Sequence, residues 1–333
     1  MSDMKDAPVV SVIVPAYNAS ATIGGTLQAI FQQDFPKPFE VIVVDDGSVD
    51  GTEYAVCSFP SVKYARQDNA GPASARNHGA RLAQGEYLAF TDSDCIPHRD
   101  WISLLVSGFD RPQAGAVAGS YGIANPQSPL ARCIHKEIVW RHAHLMPDFP
   151  NSFGSYNFCV RKKVFEAVGG FNCTYRQASG EDNDLSYKIA GSGLRIFFER
   201  RALVDHHHTT AVGKYLKEQF RHGCWRLALY KDHPQMMRGD GYTFWKDIVE
   251  MPAALACLVL LVMSPADPKC LGAGGLVSSA FLLFEEIWAL IMTGNFFEGI
   301  SFGFVCWCRA FARLFGFSTG ILLFGYKPKG KIF

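Results

Sequence analysis

Two apolar runs in this sequence end in pairs of carboxylates. "VIVVDDGSVDGT" (41–52) closes on Asp45 and Asp46, and "EYLAFTDSDCIP" (86–97) closes on Asp92 and Asp94 with Ser93 between them. Carboxylates one residue apart across a bend can converge on one hard cation, and such an ion keeps open positions for the oxygens of a substrate phosphate. It can then neutralise charge that develops on a leaving phosphate. The glycines at 47 and 51 permit tight turns after the first pair, and Ser48 and Asp50 are turn formers or caps.

The elements that must position these acids are legible as periodicity. "VVSVIV" (9–14) is a β-branched run that predicts a buried strand, stopped by Pro15; "EVIVV", "VKYA" and "EYLAF" predict three more. Ile23, Leu27, Ile30 and Phe31 recur at helical spacing after candidate caps at Asn18 and Ser20, and a second helix is expected from Pro72 to Gln84. Alternating strands and helices of this kind build an α/β fold with a doubly wound, mostly parallel sheet, in which ligands sit outside the carboxyl ends of the strands. Both acidic pairs fall on that rim. The net charge of +1 gives no basic face for nucleic acid, so no nucleic-acid partner is expected. The ten cysteines lack a paired C-x-x-C spacing and read as reduced thiols in a cytosol-facing protein.

Six segments, in order, resemble family 2 glycosyltransferases of the GT-A fold: "SVIVPAYNAS", "FEVIVVDDGSVDGT", "GPASARNHGA", "GEYLAFTDSDCIP", "NFCVRKKVFEAVGGFN" and "GEDNDLSYKIAGSG". Together they cover about residues 9 to 210. The resemblance implies that Pro15, Ala16, Tyr17 and Asn18 form a first-strand loop against a nucleotide base, and that Asp46, with Asp45 beside it, accepts a hydrogen bond from that base. It implies a donor contact for Arg76 near the base or phosphates. It places Asp92 and Ser93 on the ribose or donor sugar and makes Asp94 the direct metal ligand, with Asp92 as its partner. The metal is Mg²⁺ or Mn²⁺, and the donor is a nucleotide-sugar, by expectation a UDP-sugar.

In "GEDNDL", acids after Gly180 suit a helix N-terminus by themselves, as caps and dipole partners. The resemblance instead makes Asp182 the base that deprotonates an acceptor hydroxyl in an inverting transfer, with Glu181 as its neighbour. In "VDHHHTT", a strand continued through the histidines puts His206 and His208 on one face with His207 opposite. A histidine in this place in similar enzymes makes His206, then His208, candidate metal ligands. Asn157 and the Gly169–Gly170–Phe171 stretch resemble the acceptor-side loop. Departures from the family pattern are Val49, Cys95 after the acidic pair, and Lys188. The Gln-x-x-Arg-Trp motif of processive synthases is absent: Gln219, Arg221 and Trp225 are spaced differently, which points to transfer of one sugar.

Composition changes near Gly241, which divides the chain into a catalytic domain (1–240) and a hydrophobic membrane region (241–333). Ile248–Ser264 and Leu271–Thr293 are each long enough to cross a bilayer core, which takes ~20 residues. Glu285 and Glu286 interrupt the second at a cost in lipid. Phe296–Gly325, broken by Glu298, Arg309 and Arg313, is a third span or an interfacial helix. The closing "KPKGK" favours a cytosolic C-terminus, so the expectation is a multi-pass protein of the cell (inner) membrane whose catalytic domain faces the cytoplasm. Its acceptor would be lipid-linked or a saccharide delivered at the membrane, as in cell-envelope glycan synthesis. Two rival functions remain at this level, a sugar-nucleotidyltransferase and a non-catalytic membrane scaffold that keeps a sugar-nucleotide pocket.

Overall fold

A computed structural model describes residues 7–175, 180–238 and 245–325. The chain divides into two compact units, one formed by residues up to Ala124 together with Met146–His207, the other by Asn125–Leu145 together with the chain from His208 onward. The division differs from the composition break near Gly241, because two polar helices that the break does not mark belong with the apolar ones.

The first unit is built on a mixed eight-stranded sheet. Its strands are β1 (Val10–Ala16), β2 (Phe39–Asp45), β3 (Val62–Arg66), β4 (Tyr87–Thr91), β5 (Cys95–Pro97), β6 (Ala114–Ile123), β7 (Asn157–Arg161) and β8 (Arg195–His206). They lie in the order β3-β2-β1-β4-β7-β6-β8-β5. The β3-β2-β1-β4 half is parallel, β7 is antiparallel to both neighbours, and β5 is antiparallel to β8. The expected mostly parallel doubly wound sheet is therefore present in the first half, and β7 and β5 make the second half mixed. All seven residues of β1 are buried, as the β-branched run requires of a strand covered on both faces. Pro15 does not end it. The ladder to β4 stops at Ile13↔Phe90, so the strand runs on along β2 through Ala16, where a missing N–H is tolerated.

Helices α1 (Ile23–Phe31), α2 (Thr52–Cys57), α3 (Pro72–Leu82), α4 (Trp101–Ser107), then, after α5 of the other unit (Pro129–His144), α6 (Lys162–Ala167) and α7 (Glu181–Gly191) connect the strands. Neither Asn18 nor Ser20 caps α1; Thr22 holds the N-cap position without a side-chain bond, because both residues are engaged by the loop after β2. Helix α3 begins with Pro72 after Gly71 at φ 92° and ends at Leu82, where Ala83 turns extended. The order β2-β1-β4 puts the strand-order reversal beside β1, and the carboxyl ends of β1, β2 and β4 carry Tyr17, Asp46 and Asp92.

The second unit is helical: α5, α8 (Val212–Asp232), α9 (Trp245–Met263), α10 (Lys269–Thr293) and α11 (Phe296–Phe324). Two helices, α10 and α11, are long and apolar enough to cross a membrane by length and composition. The expected span 248–264 is not one of them. Helix α9 starts at Trp245 and carries Lys246, Asp247 and Glu250 in its first two turns, so no stretch of it is free of charge for long enough. All three charges are paired, and Lys246 and Glu250 are buried. Lys246 Nζ contacts Glu250 and lies 2.6 Å from Glu285, all three with fully buried side chains. Arg309 Nη1 reaches Glu137 at 2.7 Å and the Tyr215 hydroxyl at 3.1 Å, while Nη2 reaches Glu250 at 2.8 Å. Arg141 spans Glu137 and Asp247, and Arg313 spans Asp247 and Glu250. Glu285, a mid-run anomaly in the sequence, is thus one member of an ion-pair set. Buried pairs of this kind are often no more stabilising than an apolar core of the same volume, but each is costly to break by removing one partner.

Candidate active site

The loop after β1 and the loop after β2 are joined into one rim by backbone-to-side-chain bonds. The Asn18 N–H donates to Ser48 Oγ (2.9 Å), Asn18 Oδ1 accepts from the Val49 N–H (2.9 Å), and the Ala19 N–H donates to Thr52 Oγ1 (2.8 Å). Asn18 pays for this with φ 50°, a conformation asparagine tolerates better than most residues. Pro15 and Ala16 are buried in β1, while Tyr17 stands on the rim with half its surface exposed.

The two carboxylates that end β2 are both buried and both occupied. Asp45 accepts from the Ser48 N–H (2.7 Å) and the Tyr64 hydroxyl (2.8 Å), with Arg66 at 3.4 Å. Asp46 Oδ1 accepts from Gln67 Nε2 (2.7 Å) and the Ala70 N–H (2.9 Å), and its Oδ2 accepts from the Gly71 N–H (2.8 Å). Asp46 therefore fixes the loop that launches α3, and one lone-pair position of Oδ2 remains for a further donor. Gly47 makes the turn after them at φ 80°; a Cβ there would come 3.0 Å from the Asn69 nitrogen.

Arg76 is the hinge of the site. It is 4% exposed on α3, over the Phe171 ring. Nη2 donates to Asp92 Oδ1 at 2.7 Å, and Nη1 donates to Glu181 Oε1 at 3.2 Å and lies 3.8 Å from Asp182 Oδ1. Burial opposes its charge, but the carboxylates of Asp92, Asp182 and Glu181 outweigh burial and hold its pKa above the ordinary guanidinium value. The sequence paired Arg76 with a donor; in the structure it also joins the end of β4 to the start of α7.

Glu181 is 1% exposed at the first turn of α7, and its Oε2 accepts the Gly180 N–H at 3.1 Å. Asp184 is a separate matter: it pairs with Lys188 at 2.6 Å, one turn along α7. Asp182 is about a quarter exposed. Desolvation first, then the neighbouring Glu181 charge, push its pKa up to about 7, against the pull of Arg76 and Ser155. Gly154 faces this carboxylate, and a Cβ there would meet the Tyr156 ring at 2.6 Å.

The turn after β4 carries Asp92, Ser93 and Asp94. The Cys95 N–H donates to the Asp92 carbonyl, and the Ser93 carbonyl accepts from Thr26 Oγ1 at 3.0 Å, so Ser93 is held by its backbone. Strand β5 pairs Cys95 with His206, which brings Asp94 Oδ1 to 3.6 Å from His206 Nε2. Burial raises the Asp94 pKa, and His206 works against that rise.

Among the described residues, the only group of three or more potential ligands is Asp94, Cys95 and His206, with ligand atoms within 4.8 Å of one another. The donor set fits a divalent cation through one carboxylate and one imidazole; burial keeps the Cys95 thiol pKa far above its ordinary value and so keeps it protonated, a poor ligand for a hard ion. Two expected partners lie outside this group. Asp92 gives its carboxylate to Arg76. His208 does not share a face with His206, because β8 ends at His206 and the His207 N–H turns to the Asp94 carbonyl. His208 belongs to the second unit, where Asn125 holds its backbone N–H and carbonyl.

Asn157 sits inside the sheet. It is wholly buried, accepts from Trp101 Nε1 at 2.7 Å, and donates to the carbonyls of Ser120 and Ala202. Phe171 serves Arg76 from below while Asn77 clamps its backbone. Sequence reasoning missed Tyr121 and Tyr156, whose rings stack at 3.7 Å, with the His206 ring edge-on to Tyr121 at 5.5 Å. The aromatic content of "NSFGSYN" is the one signal that could have pointed to Tyr156.

The model of glycosyl transferase family 2 matches residues 11–178. Among curated proteins, the chain is 31% identical to glycosyltransferase AglE of Haloferax volcanii, over 72% of this chain and 80% of that protein. It is 29% identical to the pre-mycofactocin glycosyltransferase of Mycobacterium tuberculosis, over 68% of this chain and 48% of that protein, so it spans about half of that relative's length. Among solved structures it resembles the mannosyltransferase PcManGT from Pyrobaculum calidifontis, with a TM-score of 0.58 and 20% identity over 96% of this chain and 88% of that one. That likeness extends the GT-A type of fold to a chain with a helical C-terminal region. The strand-end acids, the joined loops and the family match agree, and the chain belongs to glycosyl transferase family 2.

Proposed function

We propose that the protein transfers one sugar, with inversion, from a nucleotide-sugar to a hydroxyl of a lipid-linked or membrane-delivered saccharide acceptor. The observation that carries this reading is the Arg76 node, which ties Asp92 to Glu181 and Asp182 within one site that also holds the Asp94–His206 pair. The rim formed by Tyr17, Asn18 and Asp46 receives the donor base. Asp92 and Ser93 face its ribose or sugar. A Mg²⁺ or Mn²⁺ ion held by Asp94 and His206 would neutralise the negative charge on the donor diphosphate.

Asp182 removes the proton from the acceptor hydroxyl as its oxygen attacks the anomeric carbon. The new C–O bond forms as the bond from that carbon to the diphosphate breaks, and the nucleoside diphosphate departs with the electron pair. A carboxyl with a pKa of about 7 is a base matched to neutral pH. Arg76 holds the Asp182–Glu181 pair against mutual repulsion and keeps Asp92 in register with it.

The apolar exterior of the second unit supports membrane attachment. Leu276, Ile291, Phe297 and Leu322 are each at least 70% exposed, far more than scattered surface apolar residues require. With this attachment the protein works at the cytoplasmic face of the cell membrane in cell-envelope glycan synthesis.

The test is nucleotide release by the detergent-purified full chain with a panel of UDP- and GDP-sugars, with Mn²⁺, Mg²⁺ or EDTA, and with membrane lipid extract as acceptor. GDP-sugars belong in the panel because PcManGT was solved with GDP-Man and Mn²⁺. Metal-dependent release of nucleoside diphosphate that Asp94→Ala abolishes is the expected result. Release of pyrophosphate would identify a nucleotidyltransferase instead, and silence with every donor and lipid extract would leave a non-catalytic scaffold.

A further inference from the structure

Helix α11 is bound lengthwise to a polar helix. Tyr215, Gln219, Phe220, Cys224 and Trp225 of α8 meet Arg309, Arg313, Gly316, Gly320 and Phe324 of α11 in that order, so the two run parallel. The contacts are the Arg309–Tyr215 bond (3.1 Å), the Arg313–Gln219 bond (2.8 Å) and the Trp225–Phe324 ring contact (5.0 Å). The backbones nearly touch: a Cβ at Gly316 would lie 2.0 Å from the Phe220 carbonyl oxygen, and one at Gly320 would lie 2.4 Å from that of Cys224. The stretch of α11 from Arg309 to Phe324, about 24 Å at 1.5 Å per residue, is fixed in this way.

Helix α8 cannot accompany α11 across a bilayer. It carries Lys214, Lys217, Glu218, Arg221, Arg226, Lys231 and Asp232, spread over its whole length, with Lys214, Lys217 and Lys231 exposed. Charges at that density are excluded from a hydrocarbon core. The part of α11 that precedes Arg309, residues 296–308, is about 20 Å long, short of the ~30 Å core, and Phe302, Val305 and Cys306 within it pack with Tyr215 and Leu216 of α8. Its start is held by polar groups as well. Glu298 pairs with Arg132 (2.5 Å) and Lys136 (3.0 Å) of α5, and Lys136 also donates to the Thr293 carbonyl at the end of α10.

The lipid-facing surface is nevertheless built. Phe297, Phe304, Phe315 and Leu322, each more than half exposed, recur at seven, eleven and seven residues along α11 and form one stripe on the side away from its buried residues. Leu276, Leu283, Ile287 and Ile291 form a second stripe on α10, opposite the buried Phe281, Glu285 and Ala289. The two helices are an antiparallel pair linked by Gly294 and Asn295: Gly299 packs on Leu290 and Gly303 on Glu286. Stripes that run the length of helices whose other faces hold ion pairs have the character of interfacial helices.

We infer that α10 and α11 do not cross the membrane but lie along one leaflet of it, with these two stripes in the lipid and α8 and α5 on the water side. The occupant of the apolar face is a bilayer surface, because the exposed stripes follow helices whose opposite sides are committed to polar partners. This inference rests on the membrane attachment proposed above and replaces spanning with a one-sided mode.

The test uses the full chain bound to preformed, sealed vesicles of phosphatidylcholine and phosphatidylglycerol. A protease site is inserted in the α9–α10 link at Ala266, a second between Gly294 and Asn295, and a third in a tag after Phe333, each in a separate variant that retains vesicle binding. Protease added outside is expected to cut all three at comparable rates, and detergent is expected to change none of them. Protection of the 294–295 site until detergent is added, with the other two open, would overturn the inference and establish a spanning α10–α11 pair. Failure of the unmodified chain to float with vesicles would overturn the attachment itself. A stable dimer that does not float would assign the stripes to a second copy of the chain. As a further check, Phe304→Asp with Leu283→Asp is expected to abolish flotation while α-helical content stays unchanged; flotation at the unmodified level would remove the stripes from the lipid contact.

Discussion

Arg76 on α3 meets Glu181 on α7, 105 residues further along the chain, at 3.2 Å between Nη1 and Oε1, and both side chains are almost fully buried. A buried charge pair of this kind is maintained by its completeness: removing one partner strands the other. In this protein the pair also sets the distance between the turn after β4 and the first turn of α7, because the other arm of Arg76 is committed to Asp92.

Replacing Arg76 by Leu is therefore expected to destabilise the first unit by about 3–5 kcal/mol, the usual consequence of leaving a buried carboxylate unpaired. Adding Glu181→Gln to that variant should recover part of the loss. Thermal or urea unfolding of the single and double variants measures this, and equal stability of Arg76→Leu and the unmodified chain would remove the node from the account.

Asp182 gives a pH signature. Its carboxyl is raised to about 7, so it is neutral below that pH and ionised above it. A base must be ionised to act, so kcat should climb as the pH rises through about 7 and then level off. Asp182→Asn should lower kcat by about 10²–10⁴ and erase that limb of the profile while donor binding remains. A profile that falls over the same interval, or one unchanged in the variant, would exclude Asp182 as the base. The same raised pKa means that burying the ionised form costs stability, so Asp182→Asn should be the more stable chain above about pH 7 and show the smaller difference below it.

His206 and His208 separate in a metal titration. His206→Ala is expected to raise the Mn²⁺ concentration needed for half-maximal activity by at least about tenfold, whereas His208→Ala should leave it unchanged. Direct Mn²⁺ binding followed by electron paramagnetic resonance supplies a readout that does not depend on turnover. Equal effects of the two substitutions would contradict the separate placement of the two rings.

Asn157 lies in a segment that resembles an acceptor loop, but its three hydrogen bonds are all internal. Asn157→Ala should destabilise the unit by about 2–4 kcal/mol, since it leaves the Trp101 indole and two carbonyls without their partner. KM for the acceptor should not change in the folded fraction. A raised KM with unaltered stability would return Asn157 to the acceptor side.

The sequence by itself determined the parts of this protein that are written in short-range pattern. The runs 9–14, 41–45 and 87–91 became β1, β2 and β4 because a β-branched or apolar stretch of that length has one low-energy use in an α/β fold. The acidic ends of the second and third had to lie on the ligand rim because parallel strands share a direction. Motif order identified the family for the same reason. What the tertiary structure decided are the pairings between groups distant in the chain. Arg76 was read as a donor contact, and only packing joins it to Glu181. His206 was ranked before His208 on resemblance alone, and only the end of β8 and the pairing of β5 put His206 beside Asp94. Asn157 was read as a loop residue, and only the sheet surrounds it. Glu285 and Arg309 were read as interruptions of apolar spans; Lys246, Glu137 and Glu250 complete them from other helices. A buried charge is expensive alone and tolerable in company, and its partner comes from another element of the fold, where no local period of the sequence records it.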